Sequence, residues 1–248
     1  MTETAPSTTA PGITRAKAAT MGGHRVRVAP WQGQPYVALV GPARVNRGPS
    51  RAEIQRCIAD LVERGVHEAV TPALSPFEAE PFYQAGFALH EELHLLARDL
   101  TIPPPKPQHR LRQGRPWHRA RVLEIDGEAF ETFWQFDSYA LREAKRATPY
   151  HRFRVAVERG QVTGYAVTGR AGSRGYLQRL AVDPRNQSGG IGTSLVHDCL
   201  TWLYRRRAGT ALVNTQHRNQ RALALYERLG FVRQPDGLYV LRWSSPAT

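Results

Sequence analysis

The chain has 248 residues, 41% of them hydrophobic, which is enough for one large or two small domains with a full core, and it contains no stretch long enough and apolar enough to span a membrane. Its formal net charge of +13 would attract phosphates, acidic proteins or RNA at low salt. Among its 34 basic residues, however, only Lys17, Lys106 and Lys145 are lysines, so the excess is one of arginine, as GC-rich coding produces beside abundant Ala, Pro and Gly. No helix-turn-helix, zinc or RNP pattern accompanies the charge, so nucleic acid is a weakly supported partner.

In chain order, residues 1–23 are rich in Thr, Ala, Pro and Ser without the apolar core of a signal peptide, and are expected to be a disordered tail of a cytoplasmic protein. Residues 24–102 form a first unit. A strand is expected over Tyr36 to Val40, then a helix capped by Ser50 with Glu53 as its capping-box partner, carrying Ile54, Cys57, Ile58, Leu61 and Val62 inward and ending at Gly65. A strand at Val66 to Thr71, a short helix at Pro76 to Ala85 and a strand at Leu93 to Leu100 follow. Residues 103–116, opening with Pro103-Pro104-Pro105-Lys106-Pro107, read as a stiff linker that becomes basic.

The second unit, residues 117–244, is expected to open with a strand at His118 to Glu124. Helical stretches then carry Ala129-Phe130, Phe133-Trp134 and Leu141 to Ala147. Phe153 to Glu158 and Gln161 to Thr168 alternate as two strands joined by a tight turn at Arg159-Gly160, and Tyr176 to Val182 makes the next strand. Asp183-Pro184 stops that strand. From Thr193 the apolar residues Leu195, Val196, Cys199, Leu200 and Leu203 recur at helical spacing, so Gly189, Gly190 and Gly192 sit where strand hands over to helix. A helix start leaves N–H groups unpaired, and glycines let an anion approach them. A P-loop would need a lysine after Gly192, and a dinucleotide fingerprint would need a glycine where Leu195 stands. A glycine-rich turn with no ligand stays open on this stretch alone.

Gln187-x-x-Gly190-x-Gly192, preceded by Leu180-Ala181-Val182 and Asp183-Pro184, resembles the acyl-CoA pyrophosphate loop of the GNAT N-acetyltransferase superfamily, here of actinobacterial type. The later run Asn219-x-x-Ala222-x-x-Leu225-Tyr226-x-x-Leu229-Gly230-Phe231 is similar to the second signature of that family. The resemblance spans about Arg112 to Arg242. It implies an α/β (α+β) fold whose mixed central sheet splays around an acyl-CoA cleft, and an enzyme, an acyltransferase that moves acetyl from acetyl-CoA directly to an amine of a small molecule or a protein, with no metal. By the same resemblance, Leu180, Ala181 and Val182 would pair with the pantetheine arm. The amides of Gln187, Ser188, Gly189, Gly190, Ile191, Gly192 and Thr193 would hold the pyrophosphate. Asn219 would lie near the arm, and Tyr226 would protonate the departing thiolate. A packed helix tyrosine is the alternative reading of Tyr226.

Relatives in the family often carry a glutamate base on one of the two central strands, whereas this sequence has Tyr176, Gln178 and Arg179 on the first and Asn214, Thr215 and Gln216 on the second. Asn214 and Gln216 share a strand face and could bind the acceptor, or merely bond a neighbouring loop. His217 is a candidate base, and Asp137, Glu143 and Glu158 are carboxylates that the sequence does not locate. Cys57 and Cys199 are far apart and read as buried thiols. Sliding the chain by 144 residues sets Gly65 on Gly209, Gly86-Phe87 on Gly230-Phe231, Phe82 on Tyr226 and Ser75 on Asn219, with the closing strands superposed. This reads as a degenerate half domain similar to the second half of a GNAT fold, lacking the glycine loop, with an unrelated αβ extension as the alternative. A module that binds acyl-CoA, RNA or a protein without turnover remains the second functional reading.

Overall fold

The computed structural model describes residues 19–21, 25–43 and 48–245. In chain order they form strands β1 (Ala19–Met21), β2 (Val26–Trp31) and β3 (Gln34–Pro42), helix α1 (Arg51–Glu63), strand β4 (Glu68–Val70), helix α2 (Pro76–Gln84) and strands β5 (Ala88–Asp99) and β6 (Leu111–Gln113). Helices α3 (Arg119–Ala129) and α4 (Ser138–Arg146) lead into strands β7 (Tyr150–Glu158), β8 (Gln161–Ala171) and β9 (Arg174–Val182). Helix α5 (Ile191–Arg205), strand β10 (Thr210–Gln216), helix α6 (Gln220–Arg228), the short β11 (Val232–Arg233) and β12 (Leu238–Ser244) complete the chain. Most of the tail expected over residues 1–23 lies outside the described residues. Ala19–Met21 is described, and pairs antiparallel with β2 as a strand.

The chain divides into two compact units, residues 1–93 with 236–248, and residues 94–235. In the first unit the strand order is β1-β2-β3-β4-β12-β5. The crossover helix α1 starts as the sequence predicts: the Ser50 hydroxyl accepts from the Glu53 amide, and the Glu53 carboxylate accepts from the Ser50 amide at 2.8 Å. The α1 residues Ile54, Cys57, Ile58 and Leu61 are buried against Val40, Ala69, Phe82 and Leu241. Val62, predicted inward, is 42% exposed: it lies at the edge of the stripe whose centre Ile54, Cys57, Ile58 and Leu61 occupy.

The second unit has the order β5-β10-β9-β8-β7-β6, with β11 on β5. Strand β5 therefore gives its first half to one unit and its second half to the other, while the final strand β12 belongs to the first. The strand predicted at His118 to Glu124 is instead a 3-10 turn running into α3. Val122, Ile125 and Asp126 face inward at helical spacing, and the charge of Asp126 hid that face from a hydrophobic pattern. Phe130 caps α3, and Phe133 and Trp134 lie in a one-turn 3-10 helix.

The two halves repeat in detail around α2 and α6. Ser75 and Asn219 are both N-caps, accepting from the amides of Glu78 and Ala222. Phe82 meets Phe87 edge-on at 5.3 Å, and Tyr226 meets Phe231 edge-on at 5.7 Å. The amide of each second ring donates to the carbonyl of the first, and Gly86 and Gly230 both take positive φ, +96° and +79°.

Candidate active site

The site is built on two parallel strands that part. Strands β9 and β10 pair from Thr210 with Arg174 to Leu212 with Tyr176. Beyond that point Leu177–Val182 continues along β8, while residues 213–216 run on in β10, and the gap opens between them. A bulge in the β8–β9 ladder, set between Val167 and Thr168, leaves Gln178 as the extra residue where the strands separate. Leu180, Ala181 and Val182 line the separating end of β9, with Ala181 buried and the other two half-buried. On β10 the alternation holds: Ala211, Val213 and Thr215 are buried, and Asn214 and Gln216 share the opposite face.

At the end of β9 the chain turns through Asp183 and Pro184 into the glycine loop. Gly190 is the N-cap of α5 in the left-handed conformation, φ +84°, and no side chain caps the helix, so the first amides of α5 are left for an external acceptor. Gln187 donates from its amide to the Val182 carbonyl at 3.1 Å, fixing the loop to the end of the strand. Arg221, on the first turn of α6, donates to the Gln187 amide oxygen and to the Ser188 hydroxyl at 2.8 Å. His109 lies on the other side, its Nδ1 2.9 Å from the Ser194 hydroxyl, its Nε2 3.5 Å from Glu158, and its ring close against Gly190. The loop is thus flanked by an arginine and a histidine that the motif does not contain. Arg221 was findable two residues after Asn219, whereas His109 comes from the proline-rich stretch and carries no local signal.

Tyr226 is buried among Leu200, Leu223 and Phe231. Burial, then the neighbouring Cys199, pushes its phenol pKa well up, with Arg179 acting in the opposite sense, so the hydroxyl stays protonated. Burial also pushes the Cys199 thiol up to about 12, which leaves it no nucleophile. The Asn219 side-chain oxygen accepts from the Ala222 amide at 3.0 Å, so its position is fixed by capping and its NH2 group remains for a ligand.

The carboxylates sort themselves by partner. Asp137 caps α4 through the Ala140 amide at 2.7 Å, and Glu158 faces His109. Asp126, fully buried, accepts from the Tyr165 hydroxyl, from the Phe136 amide at 2.6 Å and from both ends of Arg179 at 2.8 and 2.7 Å. Arg179 also donates to the Trp134 carbonyl at 2.6 Å and lies over the rings of Phe130 and Phe136 at 3.5 and 3.9 Å. The turn 130–136 is thereby locked to β9 by a buried ion pair that sequence reading did not find. His217, exposed just after β10, stacks on His94 at 3.9 Å, and burial, then His217, lowers the His94 pKa. Among the described residues there is no cluster of three or more His, Cys, Asp or Glu that could hold a metal ion, and no helix long and apolar enough to cross a membrane.

A splayed parallel pair with an uncapped, glycine-rich helix start at its end is a frame open to an anionic ligand. The chain belongs to the Acetyltransferase (GNAT) family, which matches residues 119–231 and uses acetyl-CoA. It is similar to the mycothiol acetyltransferase of Acidimicrobium ferrooxidans, 26% identical over 84% of this chain and 74% of that one. It is 30% identical to the [ribosomal protein bS18]-alanine N-acetyltransferase of Escherichia coli over 44% of this chain and 72% of that one. In fold it resembles a tandem GNAT protein from the clavulanic acid biosynthesis pathway, with a TM-score of 0.67 at 16% identity over 91% of this chain and 81% of that one. A GNAT protein from Sphaerobacter thermophilus gives 0.60 at 18% identity, over 90% and 77%. The chain is an N-acetyltransferase by family.

Proposed function

We propose that the protein is a cytoplasmic, acetyl-CoA-dependent N-acetyltransferase that moves the acetyl group directly to an amine of a small molecule or protein. The observation that carries the reading is the opening of β9 from β10 immediately before the uncapped start of α5. The amides from Gln187 to Thr193, with Arg221 beside them, suit a diphosphate. The free edge of Leu180 to Val182 suits the amide-bearing pantetheine arm.

A neutral amine attacks the thioester carbonyl, the carbon–sulfur bond breaks, and the amine gives up a proton. The backbone N–H of Leu180 stabilises the oxyanion. Tyr226 donates to the sulfur as it leaves, and His217 accepts the proton of the amine. Asn214 and Gln216 offer amide groups to the acceptor from the face of β10. The residues 24–102 act as a degenerate half domain without a second coenzyme site, because Ser75 and Phe82 stand where Asn219 and Tyr226 stand and the glycine loop is missing.

The engagement of Asp126, Asp137 and Glu158 with other groups favours one competing reading, a module that binds acyl-CoA without turnover. Incubation with acetyl-CoA and a panel of amines and peptides, read by release of free thiol, separates the two. Acceptor-dependent release is expected. Tight coenzyme binding with no acceptor-dependent release across the panel would favour the binding module.

A further inference from the structure

Helix α5 has 15 residues, so at about 1.5 Å per residue its two ends lie roughly 20 Å apart. The glycine loop is at one end. At the other is a hollow of about 350 Å³, near the lower end of the range for small-molecule sites, formed where the ends of β6, α4 and α5 meet the start of β7. Its walls carry Lys145, His151, Arg152, Arg154, Trp202 and Arg206.

The charges there are unbalanced. Asp198 is the carboxylate that answers them: it accepts from Arg152 at 2.7 and 2.9 Å and lies 3.4 Å from Arg154. Four permanent cations against this one carboxylate leave a net charge near +3. Among the described residues, Lys145, His151 and Arg206 have no carboxylate partner; Lys145 lies over the Phe153 ring at 5.4 Å and Arg206 over Trp202 at 4.8 Å. The Nε of Arg154 is buried, and its nearest anion is the Asp198 carboxylate at 3.4 Å, without hydrogen-bond geometry. Burial, then Arg119, Arg142 and Arg146 outside the hollow, lower the Lys145 pKa, and burial together with Lys145 lowers that of His151. A helix C-terminus favours a cation, which accounts for Arg206 and for Lys145 in the last turn of α4, but not for Arg152 and Arg154 contributed by β7.

We propose that this hollow is a second anion site, separate from the pyrophosphate loop, which takes a small molecule bearing an oligophosphate group. The donors arrive from three elements and so converge from several directions. A flat carboxylate, as Asp198 illustrates, satisfies one arginine fork, whereas the tetrahedral oxygens of linked phosphates reach several donors at once.

The test is calorimetric titration of tripolyphosphate into the full chain at about 0.15 M ionic strength, with and without saturating coenzyme A. One tripolyphosphate per chain is expected to bind in the presence of coenzyme A. Arg206→Ala and Lys145→Ala should each weaken it by about tenfold or more, the scale of one charge-assisted contact, while Arg228→Ala, an exposed arginine elsewhere, should leave it unchanged. No binding once coenzyme A is present, or equal weakening by all three substitutions, would overturn the proposal. Citrate binding as tightly as tripolyphosphate would overturn the phosphate assignment. A chain that fails to bind coenzyme A but keeps the Arg206-dependent and Lys145-dependent site would count against the acetyltransferase reading and leave this one standing.

Discussion

Replacing Tyr226 with phenylalanine removes one oxygen from a ring whose place the fold already fixes. The ring packs edge-on against Phe231 at 5.7 Å, and the first half of the chain uses a phenylalanine, Phe82, in the same arrangement with Phe87 at 5.3 Å. The ring is thus the structural part and the hydroxyl the addition. A single buried hydroxyl is worth about 1 kcal/mol in stability, so the melting temperature should move by no more than a few degrees. General acid assistance contributes about 10²–10⁴-fold. Two features set the expectation at the low end, about 10²-fold in kcat. A thiolate with a pKa of about 8.5 leaves readily. The Tyr226 phenol, pushed well up by burial, gives a hydrogen bond to the developing charge more readily than a full proton. Single-turnover thiol release measures kcat, and calorimetry measures acetyl-CoA affinity, which should hardly change because the contact strengthens only as charge gathers on sulfur. Full kcat in the substituted enzyme, or a loss confined to affinity, would refute the assignment.

Asp126→Ala strips Arg179 of its partner inside a buried pair, a change that typically costs about 3–5 kcal/mol; scanning calorimetry should show the transition lowered by roughly 10 °C, and an unchanged melting temperature would contradict the buried network. Leu241→Ala, at a fully buried position of β12, should cost about 2–5 kcal/mol. Hydrogen exchange should localise that loss to residues 26–93, and exchange raised only within 94–235 would contradict the placement of β12 in the first unit. The pKa values of His94, His151 and His197 are each lowered, by burial first, from an ordinary 6.5. The unfolded chain therefore takes up protons before the folded one, so stability is full above pH 6.5 and falls as the pH drops below it. A melting temperature that rises on acidification from pH 7 to pH 5 would show the sign to be wrong.

The parts of the fold that were legible are those fixed by short-range chemistry. Ser50 and Glu53 write a capping box into four residues, Arg159-Gly160 marks a hairpin turn, and Leu195 to Leu203 spells out the buried face of α5. The glycine loop was legible because its residues are contiguous and each answers a local need, a left-handed turn at Gly190 and an exposed helix start after it. Elements whose identity depends on distant partners were not. Asp126 looks like a surface residue until Arg179 and Tyr165 are placed beside it, and with it α3 looks like a strand. The allocation of β12 to the first unit is a matter of pairing across about 150 to 170 residues, of Arg242 with Ala88 and Val70, and no local signal encodes it. His109 reaches Gly190 for the same reason.

Acetyl-CoA binding, followed by calorimetry in the native chain and in Gly189→Asp, tests the central claim most directly. A Cβ at Gly189 meets only the Asn186 carbonyl, at an ordinary 3.7 Å, whereas any side chain at Gly190 would be strained by its positive φ and would press on His109 at 3.3 Å. Gly189→Asp therefore adds a negative charge at the loop with little disturbance of the fold. One coenzyme per chain in the native protein, and a loss of about 100-fold or more in the variant, are predicted from the repulsion between a carboxylate and a diphosphate held by the same amides. Equal affinity in the two proteins, or two equivalent coenzyme sites in the native chain, would contradict the account.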